Sequence, residues 1–138
     1  MLTLNRELVP GAHLDAEWTV QPTDLASVLA EKPGEAFAPV FSTSRMIALM
    51  EIAATRALAP YLEPGQESVG VMINVTHTAA TPPGAKVSAR ATYKGRAGKF
   101  YEFEVVANDE VGEIGRGTIQ RAVVDTRRLV EGAKRRRN

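Results

Sequence analysis

No cysteine occurs among the 138 residues. That excludes disulfides, a thiol nucleophile and thiolate metal ligands, and it fits a reducing cytoplasm. Histidine is almost as scarce, with only His13 and His77. One histidine beside one carboxylate falls short of the three or four protein ligands that zinc takes, so no metal site is expected. Aromatic residues make up 6% of the chain, and no stripe of alternating basic and aromatic residues exists on which nucleic-acid bases could stack. The longest apolar run, around residues 46–50, is far too short to span a bilayer. The opening segment MLTLNRELVPG lacks the basic-then-apolar order of a secretion signal. These absences point to a cytoplasmic protein with neither a membrane nor a nucleic-acid partner.

What is present is an ordinary globular composition, 44% hydrophobic and 24% charged, which argues against disorder. A chain this long forms one domain over residues 1–138 and buries roughly two-thirds of its extended-chain surface. Its net charge of +1 is unevenly spread. From Arg127 onward there are six basic residues and one acid, leaving 11 basic and 15 acidic residues in the body. The basic tail, residues 127–138, could be read as a phosphate-binding arm, but an acidic body favours a solvated terminus that fades into disorder.

Three stretches alternate apolar and polar residues with the period of a strand: residues 68–78, 86–94 and 101–108. Residues 13–21 and 114–124 are expected to be further strands. Gly95-Arg96-Ala97-Gly98 and Asp109-Glu110-Val111-Gly112 supply turn residues between runs, so an antiparallel meander is expected. Residues 43–58 instead carry Met46, Ile47, Leu49, Met50, Ile52, Ala53 and Leu58 at helical spacing. Ser42, Thr43 or Ser44 can cap this helix, and Pro60 ends it. Residues 23–31 and 125–134 suggest short surface helices. One apolar helix and five antiparallel strands make an α+β fold in which the sheet must wrap the helix, since nothing else could cover it.

Within this frame two side chains stand out. Glu51 is the only acid between Glu35 and Glu63, and a lone carboxylate on an apolar helix is costly unless paired. His77 shares strand parity with Val69, Val71, Ile73 and Val75, the face expected to meet the helix, and ends the strand where the core opens. A carboxylate and an imidazole are the minimum equipment for acid–base chemistry. Each also has a plain structural reading, as a solvated helix edge and a satisfied strand end. Thr43 lies eight residues before Glu51, roughly 80° around the helix and about 12 Å along it, and by itself reads as a cap. His13, beside Asp15, reads as a surface residue.

The helix TSRMIALME, the stop APYLEPG and the strand end VTHTAATPPG, followed more weakly by EIGRGTIQRAVV, closely resemble fluoroacetyl-CoA thioesterase and its hot-dog-fold relatives. The resemblance covers about two-thirds of the chain. It implies a hot-dog fold, a five-stranded antiparallel sheet around one central helix, and a homodimer binding acyl-CoA at the subunit interface. The implied activity is hydrolysis of a short-chain acyl-CoA, with fluoroacetyl-CoA one candidate among such substrates, and no cofactor beyond the CoA of the substrate. Matched by motif, Thr43, Glu51 and His77 would be catalytic. Gly70 would lie by the thioester, and Arg121, in QRAV, would contact substrate. Glu51 would attack directly or activate a water; His77 would move a proton, and Thr43 would hydrogen-bond Glu51 or the substrate near the oxyanion.

One departure affects specificity. Phe37 matches the second of two phenylalanines that cover the small acyl pocket in the family, but Gly34 stands where the first would be. Two other readings suit the same fold. An acyl-CoA hydratase would carry its acid and histidine within one loop–helix motif, absent here. A non-catalytic acyl-CoA-binding module would have no need of Thr43, Glu51 and His77 together.

Overall fold

The computed structural model describes residues 2–137. Five strands, β1 (His13–Thr19), β2 (Gln66–His77), β3 (Lys86–Ala97), β4 (Phe100–Asp109) and β5 (Glu113–Asp125), accompany two helices, α1 (Thr43–Leu58) and α2 (Thr126–Arg135). All pairings are antiparallel, in the order β1-β3-β4-β5-β2. The expected meander therefore holds only for β3-β4-β5. α1 carries the chain from one edge of the sheet, β1, to the other, β2, so two consecutive strands lie furthest apart.

The sheet curls around α1. Met46, Leu49, Met50, Ala53, Ala54 and Leu58 of the helix are fully buried, as are Ala91, Phe103, Val105 and Ala107 of the sheet. Each large apolar side chain so buried stabilises the fold by about 1.5–3 kcal/mol relative to exposure. The alanines keep the helix backbone close to the strands. α1 packs chiefly on β1 and β3 and much less on β2, and Val71 and Ile73 of that edge strand are each 44% exposed.

Turn chemistry explains two shifts from expectation. β3 runs on to Ala97, paired with Phe100, and the tight turn is Gly98-Lys99, with Gly98 at φ +63° as a two-residue hairpin requires. Gly95 lies inside β3 at a register shift. The second turn is as expected: the Asp109 carboxylate accepts from the N–H groups of Val111 and Gly112. Residues 23–31 form two 3-10 turns, Pro22–Asp24 and Ala26–Leu29, instead of a helix. The basic tail is not disordered over its first turns: α2 extends to Arg135. Asp125 caps it by accepting from the Arg128 N–H, Arg127 reaches Glu131 one turn on, and Lys134 and Arg135 complement the helix C-terminus. Asn138 lies outside the described residues.

The parity expected for β2 breaks at a bulge. Gly70 pairs with Arg121 but Met72 pairs with Gln120, leaving Val71 as the extra residue. Directly opposed residues of an antiparallel pair share a face. Ser68, opposite Val123, and Gly70, opposite Arg121, thus face the helix before the bulge; Ile73, Val75 and His77 face it afterwards, opposite Ile119, Gly117 and Gly115. Val69, assigned by simple alternation to the helix side, pairs with Ala122 on the outer face. A residue inserted into one strand reverses alternation for all that follow.

Gly117 leaves no room for a side chain against the neighbouring strand. A Cβ there would collide with the Asn74 carbonyl oxygen and come within 2.6 Å of Val75 Cα, both backbone atoms with no freedom to rotate away. Gly117→Ala is expected to lower stability by about 1–3 kcal/mol, read as a drop in the urea midpoint at unchanged m-value.

Candidate active site

The α1 N-terminus is ordered by its neighbours. The Phe41 N–H donates to the Thr81 carbonyl and the Ser42 N–H to that of Asp24. Phe41 is 1% exposed. The helix is capped by Ser42, whose Oγ accepts from the Arg45 N–H at 3.1 Å, so Thr43 is released from the capping role. Arg45 is held by Asp24 at 2.9 Å and lies over the Trp18 ring, which fixes the first turn further.

Thr43 instead meets the sheet. Its Oγ1 shares a 2.8 Å hydrogen bond with His77 Nδ1, the direction set by the imidazole tautomer. His77 Nε2 is buried with no partner, an unfilled position for a proton donor or acceptor. Burial pushes the His77 pKa below the ordinary imidazole value, opposed by the Ala79 backbone. A small open cleft of about 290 Å³ adjoins the pair, lined by Thr43 and His77 with Phe41, Ser42 and Thr78–Ala80 among others.

A second cluster lies further along α1. Glu51 is half-buried, and its Oε1 comes within 3.2 Å of the point a Cβ on Gly70 would occupy. Arg121 Nη1 lies 3.7 Å from the same point. Glycine keeps this space open: a side chain would enter the gap between carboxylate and guanidinium and push Glu51 aside by a few tenths of an ångström. Arg121 is only 5% exposed. Its Nε donates to Ser68 Oγ and its Nη2 to the Ser68 carbonyl, both at 2.9 Å, while Nη1 has no partner. Burial disfavours the guanidinium charge and the Glu51 carboxylate offsets part of that cost.

Of the six residues singled out from the sequence, five therefore fall into two groups on the helix-facing side of the sheet: Thr43 with His77, and Glu51 with Gly70 and Arg121. No hydrogen bond or ion pair joins Glu51 to His77 within the chain. The sixth, Phe37, is 41% exposed in the irregular stretch before α1 and does not line the cleft. Gly34 in that stretch has a positive φ of 86°, and open space surrounds its Cβ position. His13 is exposed in β1, as expected. Ser68 escaped notice in the sequence because simple alternation put it on the outer face. The signal was Gly70, since a glycine inside a strand often marks a bulge. Among the described residues no three His, Asp or Glu side chains cluster as metal ligands, and no helix is long and apolar enough to cross a membrane.

This architecture matches solved structures closely. A thioesterase-superfamily protein of Thermus thermophilus superposes with a TM-score of 0.83 at 27% identity, over 95% of this chain and 93% of that one. A variant of the fluoroacetyl-CoA-specific thioesterase superposes with a TM-score of 0.88 at 41% identity, over 95% and 98%. The fold is therefore the hot-dog fold of thioesterases. The sequence model of the family described as fluoroacetyl-CoA-specific thioesterase matches residues 20–127, and the chain belongs to this family. Fluoroacetyl-CoA thioesterase of Streptantibioticus cattleyicolor is 52% identical over 88 residues, 64% of this chain and 63% of that protein. The match thus spans less than two-thirds of that relative's length.

The lowered His77 pKa has a sign that can be tested. The folded state prefers neutral imidazole, so folding loses free energy as pH falls through the ordinary imidazole range, about 6.5. An NMR titration of His77 is expected to give a midpoint below that of a free imidazole, and His77→Gln is expected to flatten the fall in stability on the acid side of pH 6.5.

Proposed function

We propose that the protein hydrolyses short-chain acyl-CoA thioesters to free acid and CoA, as a homodimer in the cytoplasm, without a cofactor beyond the CoA of the substrate. The observation that carries this reading is the pair of clusters on one face of the sheet: a carboxylate between Gly70 and a buried arginine, and a Thr43–His77 pair with a free ring nitrogen. Thioester hydrolysis needs an attacking oxygen, polarisation of the carbonyl and a proton for the leaving thiolate. Glu51 delivers the oxygen, either its own, through a mixed anhydride, or that of a water it deprotonates. His77 and Thr43 hydrogen-bond the thioester; the proton that ends on sulfur comes from water, taken up by Glu51 when water attacks or released when water cleaves the anhydride, and His77 relays it to the thiolate. A fluoroacetyl-CoA-specific thioesterase variant has been solved with fluoroacetate and CoA, and it aligns over 88% of this chain at a TM-score of 0.82.

The dimer is supported by β2. It is a sheet edge, with a free row of backbone donors and acceptors and with Val71 and Ile73 half-exposed. The clusters lie at separate points of this strand, beside Gly70 towards its middle and at its last residue, His77, roughly 20 Å apart at about 3.3 Å per residue. Antiparallel pairing of β2 with its copy about a two-fold axis brings the Glu51 end of one subunit against the His77 end of the other. The separation of Glu51 from Thr43 along α1 then ceases to be an obstacle. Both apolar residues at the edge are covered in the same step.

Acyl selectivity is expected to be weak. Gly34 leaves open space where the family's first lid aromatic would be, and Phe37 is exposed, so acetyl-CoA should be turned over alongside fluoroacetyl-CoA.

Glu51→Gln is expected to lower kcat/KM for acetyl-CoA by at least about a hundredfold, measured by thiol release; unchanged turnover removes Glu51 from the chemistry. In single-turnover hydrolysis in H₂¹⁸O, label recovered in the Glu51 side chain identifies attack by Glu51 itself, since general-base catalysis puts label only in the released acid. Co-refolding Glu51→Gln with His77→Ala tests the composite site. Mixed dimers carry one intact site and should regain about a quarter of wild-type activity, whereas sites contained in single chains regain none.

A further inference from the structure

We infer that Ser68 is a positioning residue for the reaction, acting through Arg121; the inference rests on Glu51 being the reacting carboxylate. Arg121 has five N–H donors and is almost completely buried. A guanidinium in that position has a strong incentive to close an ion pair with the nearest carboxylate, which is Glu51 across Gly70. It does not do so. Ser68 occupies it from the other side with two acceptors on one residue, its hydroxyl taking Nε–H and its carbonyl taking Nη2–H, both at 2.9 Å.

Two bonds to a planar group leave it no rotational freedom. The one edge left over, Nη1, has no partner and faces the space above Gly70 that Glu51 Oε1 also borders. Ser68 therefore keeps a buried donor in reserve. The free N–H groups of Nη1 are held for the substrate's acyl end, and the carboxylate is held near a positive charge without being neutralised by contact. The bulge at Val71 puts Ser68 on this face at all, two residues before Gly70 and opposite Val123.

Removing the hydroxyl frees Nε, lets the guanidinium swing, and allows it to collapse on Glu51. The bond from Ser68 is made to Arg121 alone, so its loss should have no effect once Arg121 can no longer donate. Ser68→Ala is expected to lower kcat for acetyl-CoA by on the order of a hundredfold, the scale of a small misplacement of reacting groups. Ser68→Thr, which keeps the hydroxyl, should restore kcat to within a few-fold of wild type. In an Arg121→Met background, Ser68→Ala should cause no further loss, because residues acting as a unit are non-additive. Thermal unfolding of each variant reports whether it is folded at the assay temperature; if Arg121→Met is not, Arg121→Leu, which likewise cannot donate, takes its place.

Wild-type kcat in Ser68→Ala, or losses from Ser68 and Arg121 that simply multiply, would overturn the inference. Failure of the underlying reading looks different: Glu51→Gln would then keep full activity, or the wild-type protein would release no thiol.

Discussion

The bulge at Val71 is the constraint on which the site depends. Without the extra residue, a strand that presents His77 to the helix would present Val69 there as well, and Ser68 and Gly70 would turn outward. Arg121 would lose both of its partners, and a valine side chain would stand where Gly70 leaves a gap for Glu51. One inserted residue lets β2 serve two functional positions of opposite parity, at the cost of a ladder irregularity on a strand already at the sheet's edge.

Burial and bonding then assign distinct electrostatic states to the two clusters. His77 is kept neutral by desolvation and steered by Thr43, whereas Arg121 is kept charged in spite of desolvation by two serine acceptors and the neighbouring carboxylate. Within the chain the neutral imidazole stays apart from the carboxylate and its fixed positive charge, and only the proposed two-fold pairing of β2 would gather all three groups around one thioester. Both clusters rest on α1, whose first turn is tied to Asp24 and Thr81 and whose middle is packed among alanines and methionines. Their spacing is therefore as rigid as the helix.

Much of this was legible in the sequence because it is written in local period. α1 showed its full extent through its apolar spacing and Pro60, and all five strands were located to within a few residues. Glu51 and His77 stood out by isolation, one acid in an apolar helix and one imidazole at an apolar strand end. What could not be read was non-local. The order of strands depends on α1 crossing the sheet, which no residue encodes by itself. The bulge inverted the face of Val69 and hid Ser68, whose meaning comes only from an arginine 53 positions away. The tail gave two conflicting signals: the short helix expected over residues 125–134 is present, capped by Asp125 and braced by the Arg127–Glu131 pair, whereas the run of charge alone pointed to disorder.

The anchoring of Phe41 and Ser42 has an implication for how such a protein can change. Those two residues clamp the chain immediately ahead of Thr43, so everything upstream, including Gly34 and Phe37, hangs from a fixed post. Residues 30–40 can be shortened, stiffened or given new aromatics without rotating Thr43 away from His77. Lineages and engineers alike are free to retailor the covering flap while the reacting groups keep their places. A single residue inserted between Ser42 and Thr43, by contrast, would turn the hydroxyl through about 100° and uncouple it from the imidazole.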